Sequence, residues 1–444
     1  MAGFLLKTNP LISILIFAEI GGEMAKFLVQ KSQPLSGEVT ISGAKNAVLP
    51  LMAATLLTTE ECVISDVPCL ADVTVMRKIL ESIGSDIEEP VHSILNIKTE
   101  SIKTTEPDNE LVGMMRASFV VMGPLLGRSG RAKLYRPGGC SIGARPIDLH
   151  IKGFRALGAK ITITDDYIEA EAPEGGLNGA TIYLDFPSVG ATENIMMAAA
   201  LANGVTYIEN AAEEPEITDL ANLINKMGGR IKGAGTDNIK IEGVASLHGA
   251  EHTVIPDRIE AGTFMLAAAI TRGQLLIRNV TPDHLKPVTA KLRECGVTVE
   301  MGDEGMYVLA DDRELTATDI KTMPYPGFPT DIQSPFMAFL TTVYGHSTVI
   351  ETVFENRFMH VAELNRMGAN IEIQGNRALI KGGRKLKGTQ VIATDLRAGA
   401  AMVLAGLAAE GTTQVSEIYH IERGYEDFIK KFRSIGASIM RLDD

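Results

Sequence analysis

One cysteine of the chain lies in a glycine-rich loop surrounded by cationic residues. Cys140 follows two glycines in the segment YRPGGCSIGARP, which has no apolar periodicity. The nearby cations are Lys133, Arg136, Arg145 and Lys152. A cysteine is more often a small buried hydrophobe than a reagent, but positive charges lower the pKa of a thiol and favour the nucleophilic thiolate. The pattern therefore favours a reactive thiol at Cys140.

The other three cysteines lack comparable neighbours. Cys62, Cys69 and Cys295 form no CxxC pair, and Cys295 lies inside a predicted amphipathic helix. Four cysteines among 444 residues indicate a reducing compartment, with thiols rather than disulfides. We therefore interpret these three as structural residues.

Ionic residues recur at one position before apolar, helix-like segments. Arg116, Asp331 and Arg397 each lie fourteen residues before the glycine that follows such a segment, and Lys45 lies at or within one residue of the same position. At a helix N-terminus, free N–H groups and the helix dipole favour anions. A solvated surface position is the usual alternative for a charge, but surface charges have no reason to follow a repeat.

A second set of arginines precedes the other helix of each unit. Arg145 and Arg423 lie thirteen residues before a helix-closing glycine, and Arg357 lies eleven residues before another. If the units are pseudo-symmetric, both sets open on the same face of each domain. We expect two such domains to form a multi-phosphate pocket lined by Lys45, Arg116, Arg145, Arg357, Arg397 and Arg423.

Asp331, in the segment FPTDIQSPF, is the one acidic residue in a position otherwise held by cations. A carboxylate near a helix start is often only an N-cap. Opposite a cluster of arginines it would instead stay ionised and accept a proton from a substrate hydroxyl. The residues alone leave both interpretations open.

The composition is that of a globular protein with an excess of acidic residues. Hydrophobic residues make up 45% of the chain, which is long enough for two or three domains. A formal net charge of -13 argues against sequence-independent nucleic-acid binding. Any anion site must therefore be a local basic cluster.

Residues 1–23 are expected to be an N-terminal extension outside the fold, with Met24 as the natural start. Their apolar run, residues 11–18, is too short for a membrane helix. A secretory signal is the alternative, but no small-residue cleavage motif follows the run.

The chain repeats one pattern six times. Phrases such as RALGAKI and NRMGANI predict a helix that is closed by a glycine with positive φ and followed by a strand. The closing glycines are Gly84, Gly158, Gly228, Gly296, Gly368 and Gly436. A second recurring phrase, for example IMMAAALANG, is apolar on nearly all faces and predicts a buried helix. A regular period of this length indicates an architectural repeat.

These six units predict an α/β fold of two three-unit domains. Each unit would contain one buried helix, one amphipathic helix and several strands, and the small residues of the buried helices indicate close helix packing with sheets outside. The residues alone place the domain boundary near residue 250, where EGVASLHGAEHT has the composition of a connection.

Seven segments carry a resemblance to a known family. They are, in chain order, SGAKNAVLP, PGGCSIGARPIDLH, SVGATENIM, FPTDIQSPF, ETVFENRFMH, ATDLRAGA and YHIERGYE. They resemble motifs of the UDP-N-acetylglucosamine enolpyruvyl transferase (1-carboxyvinyltransferase) family, in that family's order. The resemblance covers residues 24–444 and implies two inside-out α/β barrel domains, each of three βαβαββ-type repeats with buried helices. The first domain would span residues 45–255 and carry the Cys140 loop. The second would combine residues 24–44 with 256–444, which corrects the simple cut near residue 250.

The resemblance also implies a reaction. The 3'-hydroxyl of UDP-N-acetylglucosamine would attack C2 of phosphoenolpyruvate, a proton would add to C3, and phosphate would then leave. This addition and elimination is the first committed step of peptidoglycan synthesis and implies a cytoplasmic enzyme that is a fosfomycin target. No metal or organic cofactor is implied, and the partners would be the two small-molecule substrates, without nucleic acid or membrane.

Matching the motifs residue by residue implies the following roles. Cys140 would form a covalent adduct with phosphoenolpyruvate and act as general acid or in product release, while Asp331 would accept the hydroxyl proton. Asp72 and Asp395 would assist proton movement or domain closure. The catalytic residues would be Cys140, Asp331, Lys45, Arg397 and Asp395. The phosphoenolpyruvate-binding residues would be Lys45, Asn46, Arg145, Arg357, Arg397 and Arg423, and those for the UDP-sugar would be Arg116, Arg145, Pro146, Ile147, Asp148, Leu149, Ser188, Val189, Asp331 and Val353.

One departure from the family pattern and three alternatives accompany this interpretation. Phe186 stands where some relatives have a lysine, which removes one contact to the nucleotide. The sister family, 5-enolpyruvylshikimate-3-phosphate synthase, shares the fold and phosphoenolpyruvate but lacks the GGC loop. A catalytically quiet, regulatory copy would not need Lys45, Cys140, Asp331 and Arg397 together, and a structural scaffold would not need phased cations.

Overall fold

The structure is a computed structural model that describes residues 25–135, 147–311 and 314–443. The chain forms two compact units. Unit 1 contains residues 43–135 and 147–255, and unit 2 contains residues 25–42 and 256–443. These limits lie within two residues of the predicted domain boundaries, which we retain as a proposal.

The strands and helices follow in chain order. The strands are β1 Lys26–Gln30, β2 Ser36–Thr40, β3 Cys62–Ser65, β4 Asp86–Val91, β5 Ile94–Lys98, β6 Arg131–Tyr135, β7 Lys160–Ile163, β8 Tyr167–Glu171, β9 Thr181–Tyr183, β10 Val205–Glu209, β11 Arg230–Lys232, β12 Asn238–Glu242, β13 Glu251–Thr253, β14 Gln274–Arg278, β15 Thr298–Gly302, β16 Gly305–Leu309, β17 Ile320–Lys321, β18 His346–Ile350, β19 Ile371–Gln374, β20 Arg377–Lys381, β21 Gln390–Ile392, β22 Thr412–Ser416 and β23 Ile439–Leu442. The α-helices are α1 Lys45–Ala54, α2 Ala71–Ile83, α3 Asn109–Met114, α4 Met122–Ser129, α5 Asp148–Ala156, α6 Val189–Ala199, α7 Pro215–Lys226, α8 Arg258–Thr271, α9 Lys286–Glu294, α10 Thr330–Thr342, α11 His360–Arg366, α12 Leu396–Ala408, α13 Tyr419–Glu422 and α14 Phe428–Ser434. Short 3-10 helices cover Thr55–Leu57, Arg116–Val121 and Pro282–Leu285.

The apolar segments form the predicted buried helices. In unit 1 they are α1, α4 and α6, and in unit 2 they are α8, α10 and α12. In α6 all residues from Ala191 to Ala199 are buried, and in α8 all residues from Ile259 to Thr271 are buried. A helix without a polar face is stable only when it is covered on all sides. Polar side chains in these segments are therefore concentrated near the helix ends.

Small residues allow these helices to approach one another closely, as predicted. A Cβ atom at Gly123 in α4 would lie 2.4 Å from the carbonyl oxygen of Asn194 in α6. In unit 2, a Cβ at Gly262 in α8 would lie 2.8 Å from the Cδ1 of Ile332 in α10. The contact at Gly123 is with backbone and is too short for any larger residue, so glycine sets the spacing of α4 and α6, whereas the contact at Gly262 is with the end of a side chain that can shift.

The six predicted helix-closing glycines all have positive φ. Gly158, Gly228, Gly296, Gly368 and Gly436 have φ between 93° and 96°, and Gly84 has φ 123°. Each follows the amphipathic helix of its unit, and each precedes a strand or a short extended segment. This backbone conformation strongly favours glycine because it has no Cβ. The repeat predicted from the sequence is confirmed at all six positions.

The strands form small sheets, three in each unit. Unit 1 contains the sheets β13-β3-β5-β4, β6-β8-β7 and β11-β12-β10-β9, and unit 2 contains β15-β16-β14-β2, β17-β18-β20-β19 and β21-β22-β1-β23. Five of the six combine one parallel pair with antiparallel neighbours, for example β2 beside β14. Within the described residues the sheets stay separate and none closes into a barrel. The fold class is the predicted one: α/β repeats around buried helices.

The three cysteines interpreted as structural differ in burial. Cys62 and Cys295 are buried, as expected of structural residues, and burial raises the pKa of Cys295 to about 12. Cys69 is exposed, so it is not part of the core, and its structural role stays a prediction. It lies in the segment DVPCL between β3 and α2, where its neighbours Val67, Pro68 and Leu70 are buried. Among the described residues, no helix is long and apolar enough to cross a membrane.

Replacing two of the closing glycines by alanine should separate backbone strain from steric overlap. At Gly158 a Cβ would meet only ordinary contacts of 3.5 Å or more, so Gly158→Ala should lower the free energy of unfolding by about 1 to 2 kcal/mol through φ alone. At Gly84 the Cβ would lie 2.8 Å from the carbonyl oxygen of Ser101, so Gly84→Ala should cost clearly more. Urea unfolding of both variants measures the difference. Equal losses would show that close packing around Gly84 is not a constraint.

Candidate active site

Asp331 joins two buried arginines in unit 2. Its Oδ1 accepts a hydrogen bond from Nη2 of Arg357 at 2.7 Å, and its Oδ2 accepts one from Nη2 of Arg397 at 3.4 Å. Asp331 is the second residue of α10, whose N-cap position is held by Pro329. The interpretation of Asp331 as a helix N-cap is therefore wrong. Its carboxylate faces cations that belong to other parts of unit 2.

The electrostatics keep Asp331 ionised. Burial acts to raise the pKa of Asp331, but the charges of Arg357 and Arg397 outweigh it and hold that pKa well below its usual range. Burial likewise acts to lower the pKa of Arg397, whereas Tyr425 and Asp331 raise it above the ordinary value. In this arrangement Asp331 is a weak base. Another anion bound to the guanidinium groups would raise the pKa of Asp331 and make it a stronger base.

Both arginines keep a donor for such an anion. Only 3% of either side chain is exposed. Among the described residues, Nε of Arg357 and Nη1 of Arg397 are buried without a hydrogen-bond partner. Buried donors are normally paired, and an unpaired one is costly. The unpaired donors therefore mark a place where a carboxylate or phosphate oxygen would bind.

The neighbours of Arg397 hold it in place. Its guanidinium carbon lies 5.1 Å from the ring centre of Tyr425, a favourable cation–π distance. The hydroxyl of Tyr425 is 2.9 Å from Oγ1 of Thr263 in α8. Tyr425 belongs to the YHIERGYE segment, but sequence reasoning assigned it no role. Its aromatic type beside an arginine-bearing segment was the available signal.

Arg258 is a further cation that sequence reasoning missed. It is the first residue of α8, its guanidinium carbon lies 5.7 Å from the ring centre of Tyr325, and its charge contributes to lowering the pKa of Asp331. Arg258 lies fifteen residues before Gly273, one residue away from the spacing shared by the predicted cations. A search that allowed the spacing to differ by one residue would have identified Arg258.

Asp395 caps the helix that carries Arg397. Its Oδ1 accepts hydrogen bonds from the backbone N–H groups of Arg397 at 2.8 Å and Ala398 at 3.0 Å. Asp395 is also close to His360, where burial lowers the pKa to about 4 although the charge of Asp395 opposes this. His360 is therefore neutral near pH 7. The structure shows a helix-capping role for Asp395, and its predicted catalytic role stays a prediction.

Arg423 is placed directly after α13 and is half-buried. Its charge contributes, after burial, to lowering the pKa of His420. Val353 follows β18 by a short connection, and its N–H donates to Oε1 of Glu351 at 2.8 Å. The predicted ligands of unit 2 thus come from two of its helix starts, those of α10 and α12, and from the loops that precede α11 and follow α13.

In unit 1, Lys45 pairs with Asp72. The Nζ of Lys45 lies 2.7 Å from Oδ2 of Asp72, and the side chains are 12% and 5% exposed. Lys45 is the first residue of α1 and Asn46 the second, while Asp72 lies in the first turn of α2. The two predicted residues Lys45 and Asp72 are therefore in contact.

A neutral histidine lies beside Arg116. Burial and the charge of Arg116 lower the pKa of His150 to about 3. The Nδ2 of Asn194 lies 3.0 Å from Nδ1 of His150 and also donates to the carbonyl oxygen of Phe119. A donor facing Nδ1 requires that nitrogen to accept, which fits the neutral ring. Asn194 therefore ties α5 and α6 to the 3-10 helix that begins with Arg116.

The remaining predicted ligands of unit 1 lie at two helix starts. Ile147 precedes α5, which contains Asp148 and Leu149. Ser188 caps α6, where its Oγ accepts a hydrogen bond from the N–H of Ala191 at 3.4 Å, and Val189 is the first helical residue. Phe186, the departure from the family pattern, is 43% exposed. Cys140, Arg145 and Pro146 lie outside the described residues.

No metal site is evident in the part of the chain that the structure describes. It contains no group of three or more His, Cys, Asp or Glu side chains arranged to hold an ion. The chemistry available from the described side chains is that of cations, one carboxylate between arginines, and helix N-termini.

Removing the carboxylate of Asp331 should expose its function as a counter-charge. Asp331→Asn leaves two buried guanidinium groups without an anion and should lower the free energy of unfolding by about 3 kcal/mol at neutral pH. Because the folded-state pKa of Asp331 is depressed, this contribution is present above the unfolded pKa of about 3.9 and is lost as the pH falls through the folded value.

An added anion should partly replace the missing carboxylate. We expect phosphoenolpyruvate alone to raise the melting temperature of Asp331→Asn more than that of the unmodified protein. Asp319→Asn is a matched control, because Asp319 is an exposed carboxylate of unit 2 that accepts one backbone hydrogen bond. A smaller shift for Asp331→Asn than for the unmodified protein would contradict the assignment of an anion site at Arg357 and Arg397.

Comparison with known proteins places these residues in a family. The family model described as EPSP synthase (3-phosphoshikimate 1-carboxyvinyltransferase) matches residues 29–432. The chain is 60% identical over 416 residues to UDP-N-acetylglucosamine 1-carboxyvinyltransferase 1 of Caldanaerobacter subterraneus subsp. tengcongensis, with 94% of this chain and 99% of the relative covered. It is 55% identical over 417 residues to UDP-N-acetylglucosamine 1-carboxyvinyltransferase of Finegoldia magna, with 94% and 98% covered.

Solved structures show the same fold. The enolpyruvyl transferase NikO from Streptomyces tendae superimposes with a TM-score of 0.85 at 24% identity, covering 95% of this chain and 100% of that one. EPSP synthase from Acinetobacter baumannii gives a TM-score of 0.72 at 18% identity, covering 94% and 100%. The family model shows that the chain belongs to the carboxyvinyltransferases. The relatives at 55% to 60% identity show that, among them, it belongs to the UDP-N-acetylglucosamine 1-carboxyvinyltransferase family.

Proposed function

We propose that the protein transfers the enolpyruvyl group of phosphoenolpyruvate to the 3'-hydroxyl of UDP-N-acetylglucosamine with release of phosphate. The relatives at 55% to 60% identity carry the name of this enzyme. The observation that carries the proposal is the carboxylate of Asp331 held between Arg357 and Arg397, both of which have a buried donor to spare. An anion-binding pair of arginines beside a carboxylate base suits the addition of a hydroxyl to an anionic enol.

Phosphoenolpyruvate would change the basicity of Asp331. Its carboxylate would bind Arg357 and Arg397 through their unpaired N–H groups and compete with Asp331 for the others. As the guanidinium groups turn toward the substrate, the pKa of Asp331 rises from its depressed value and the carboxylate becomes a competent base. Binding of the first anion thus prepares the proton acceptor for the sugar hydroxyl.

The reaction then proceeds by addition and elimination. The sugar 3'-oxygen forms a bond to C2 of phosphoenolpyruvate while its proton passes to Asp331, and the double-bond electron pair takes a proton at C3. In the tetrahedral intermediate, loss of a proton from C3 restores the double bond as the bond from C2 to the phosphate oxygen breaks. Cys140 is the proposed general acid or product-release group, and Asp395 and Asp72 are proposed to assist proton movement.

The two phosphate-bearing ligands would bind largely different residues, with Arg145 shared between them. Lys45, with Asn46 beside it, is proposed for the phosphate of phosphoenolpyruvate, and Asp72 would orient its ammonium group. Arg145 and Arg423 complete the proposed phosphate ligands. The proposed ligands of the UDP-sugar are Arg116, Arg145, Pro146, Ile147, Asp148, Leu149, Ser188, Val189, Asp331 and Val353. The start of α6 at Ser188 offers backbone N–H groups to a diphosphate.

This activity would commit UDP-N-acetylglucosamine to peptidoglycan synthesis. Such a pathway uses cytoplasmic nucleotide sugars, so we propose a cytoplasmic enzyme that needs neither a metal nor an organic cofactor. The sister activity, with shikimate 3-phosphate as acceptor, is the second candidate, since the matching family model bears that name. The identity of at least 55% to transferases named for UDP-N-acetylglucosamine favours the first.

A phosphate-release assay with both acceptors in parallel tests the proposal. Release from phosphoenolpyruvate should require UDP-N-acetylglucosamine and should not occur with shikimate 3-phosphate. Cys140→Ala should lower the rate by roughly 10² to 10⁴, the usual contribution of a general acid. Cys69→Ala, at an exposed cysteine with no proposed role, should retain the activity. Release with shikimate 3-phosphate alone would overturn the assignment of the acceptor.

A further inference from the structure

Glu351 is a buried carboxylate next to the site in unit 2, and no role has so far been assigned to it. It directly follows β18 and is 4% exposed. It accepts four hydrogen bonds: from Oγ1 of Thr322 at 2.8 Å, Oγ1 of Thr330 at 2.9 Å, the N–H of Val353 at 2.8 Å and the N–H of Phe354 at 3.1 Å. Four bonds to one buried carboxylate fix its position, and through it the segments that donate them.

The two oxygens of Glu351 serve different segments. Oε1 accepts from Thr322 and from the backbone of Val353 and Phe354, so it shapes the connection after β18. Oε2 accepts only from Thr330, the first residue of α10. One oxygen therefore anchors a loop, and the other reaches the helix that carries Asp331.

Thr330 relays this contact to Arg357. Its hydroxyl has one proton, which it donates to Glu351, so its lone pairs are left to accept. Nη1 of Arg357 donates to Oγ1 of Thr330 at 3.2 Å, while Nη2 of the same group donates to Asp331 at 2.7 Å. The guanidinium is thereby held at two of its nitrogens. Its Nε is left without a partner among the described residues.

We propose that Glu351 is a positioning residue for phosphoenolpyruvate binding, acting through Thr330 on Arg357. The negative charge of Glu351 fixes the rotation of the Thr330 hydroxyl, which in turn fixes the plane of the Arg357 guanidinium against Asp331. This inference rests on the proposed function, in which Arg357 binds the carboxylate of phosphoenolpyruvate. Glu351 itself touches no substrate.

Because the two oxygens of Glu351 bind different segments, one substitution can remove the hydrogen bond with Thr330 and leave the other three in place. In Glu351→Gln the remaining carbonyl oxygen still accepts from the two backbone N–H groups and Thr322. The amide NH₂ then faces Thr330, where it can only donate, so the Thr330 hydroxyl loses its acceptor and Arg357 loses its fixed neighbour. Thr330→Val removes the same hydrogen bond by removing the hydroxyl, and it leaves Glu351 unchanged.

Steady-state kinetics with each substrate varied in turn tests this relay. Glu351→Gln and Thr330→Val should each raise KM for phosphoenolpyruvate by about tenfold, the effect of a lost hydrogen bond to a charged group. KM for UDP-N-acetylglucosamine should change by less than about twofold, because the Val353 connection keeps its anchor. Thr330→Ser, which keeps the hydroxyl, should recover most of the affinity that Thr330→Val loses.

Glu363→Gln is the matched control. Glu363 is a buried carboxylate of α11 in the same unit that accepts a backbone hydrogen bond from Ile392 and pairs with Arg366, without a link to Arg357. It should leave both KM values unchanged.

Two results would overturn the inference. One is an unchanged KM for phosphoenolpyruvate in Thr330→Val, and the other is an equal rise of both KM values in Glu351→Gln. If Glu351→Gln does not fold, the Thr330 variants decide. If the unmodified protein makes no product from the two substrates, the proposed function has failed instead, and the two failures are thereby distinguished.

Discussion

The arrangement of unit 2 depends on one carboxylate between two buried guanidinium groups. Arg357 and Arg397 are almost fully buried, and burying a cation is costly unless a counter-charge lies within hydrogen-bonding distance. Asp331 supplies that charge and is itself kept ionised by it. The three side chains come from the start of α10, the start of α12 and the loop before α11. The fold must hold these three segments together before any substrate binds.

The repeat of buried and amphipathic helices holds these segments together. A helix that is apolar on all sides can sit in the middle of a unit, and its polar residues are then concentrated near its two ends. The start of such a helix carries free N–H groups and attracts ionic residues and anions. At the ends of the partner helices, glycines with positive φ turn the chain into the next strand. Lys45, Asp331 and Arg397 therefore occupy equivalent positions for a physical reason.

Much of this was accessible from the sequence, because periodic glycines and apolar runs are local signals. The six closing glycines and the buried helices were predicted correctly, and so were the ionic helix starts. The exposure of Cys69 was not predicted, since a short apolar stretch around a cysteine does not reveal which side of a turn faces solvent. Whether Asp331 is a helix N-cap or the charge partner of arginines could be decided only from the positions of Arg357 and Arg397.

The residues missed from the sequence act through contacts between distant segments. Tyr425 matters because it stacks on Arg397, and Glu351 because Thr322, Thr330 and the backbone after β18 meet at its oxygens. Tyr425 is marked only by its aromatic type beside an arginine-bearing segment, and Glu351 has no spacing or composition that marks it. Such roles follow from three-dimensional hydrogen bonding, which one sequence does not encode in a readable pattern.

The titration of Asp331 is the most direct measurement of the central claim. With aspartate labelled at the carboxyl carbon, and Asp331→Asn used for assignment, NMR can follow this group as the pH is lowered. We expect the Asp331 signal to stay that of a carboxylate through the ordinary aspartate pKa of about 3.9, and Arg397→Ala to move its titration toward that value. A midpoint near the ordinary value in the unmodified protein would contradict the account.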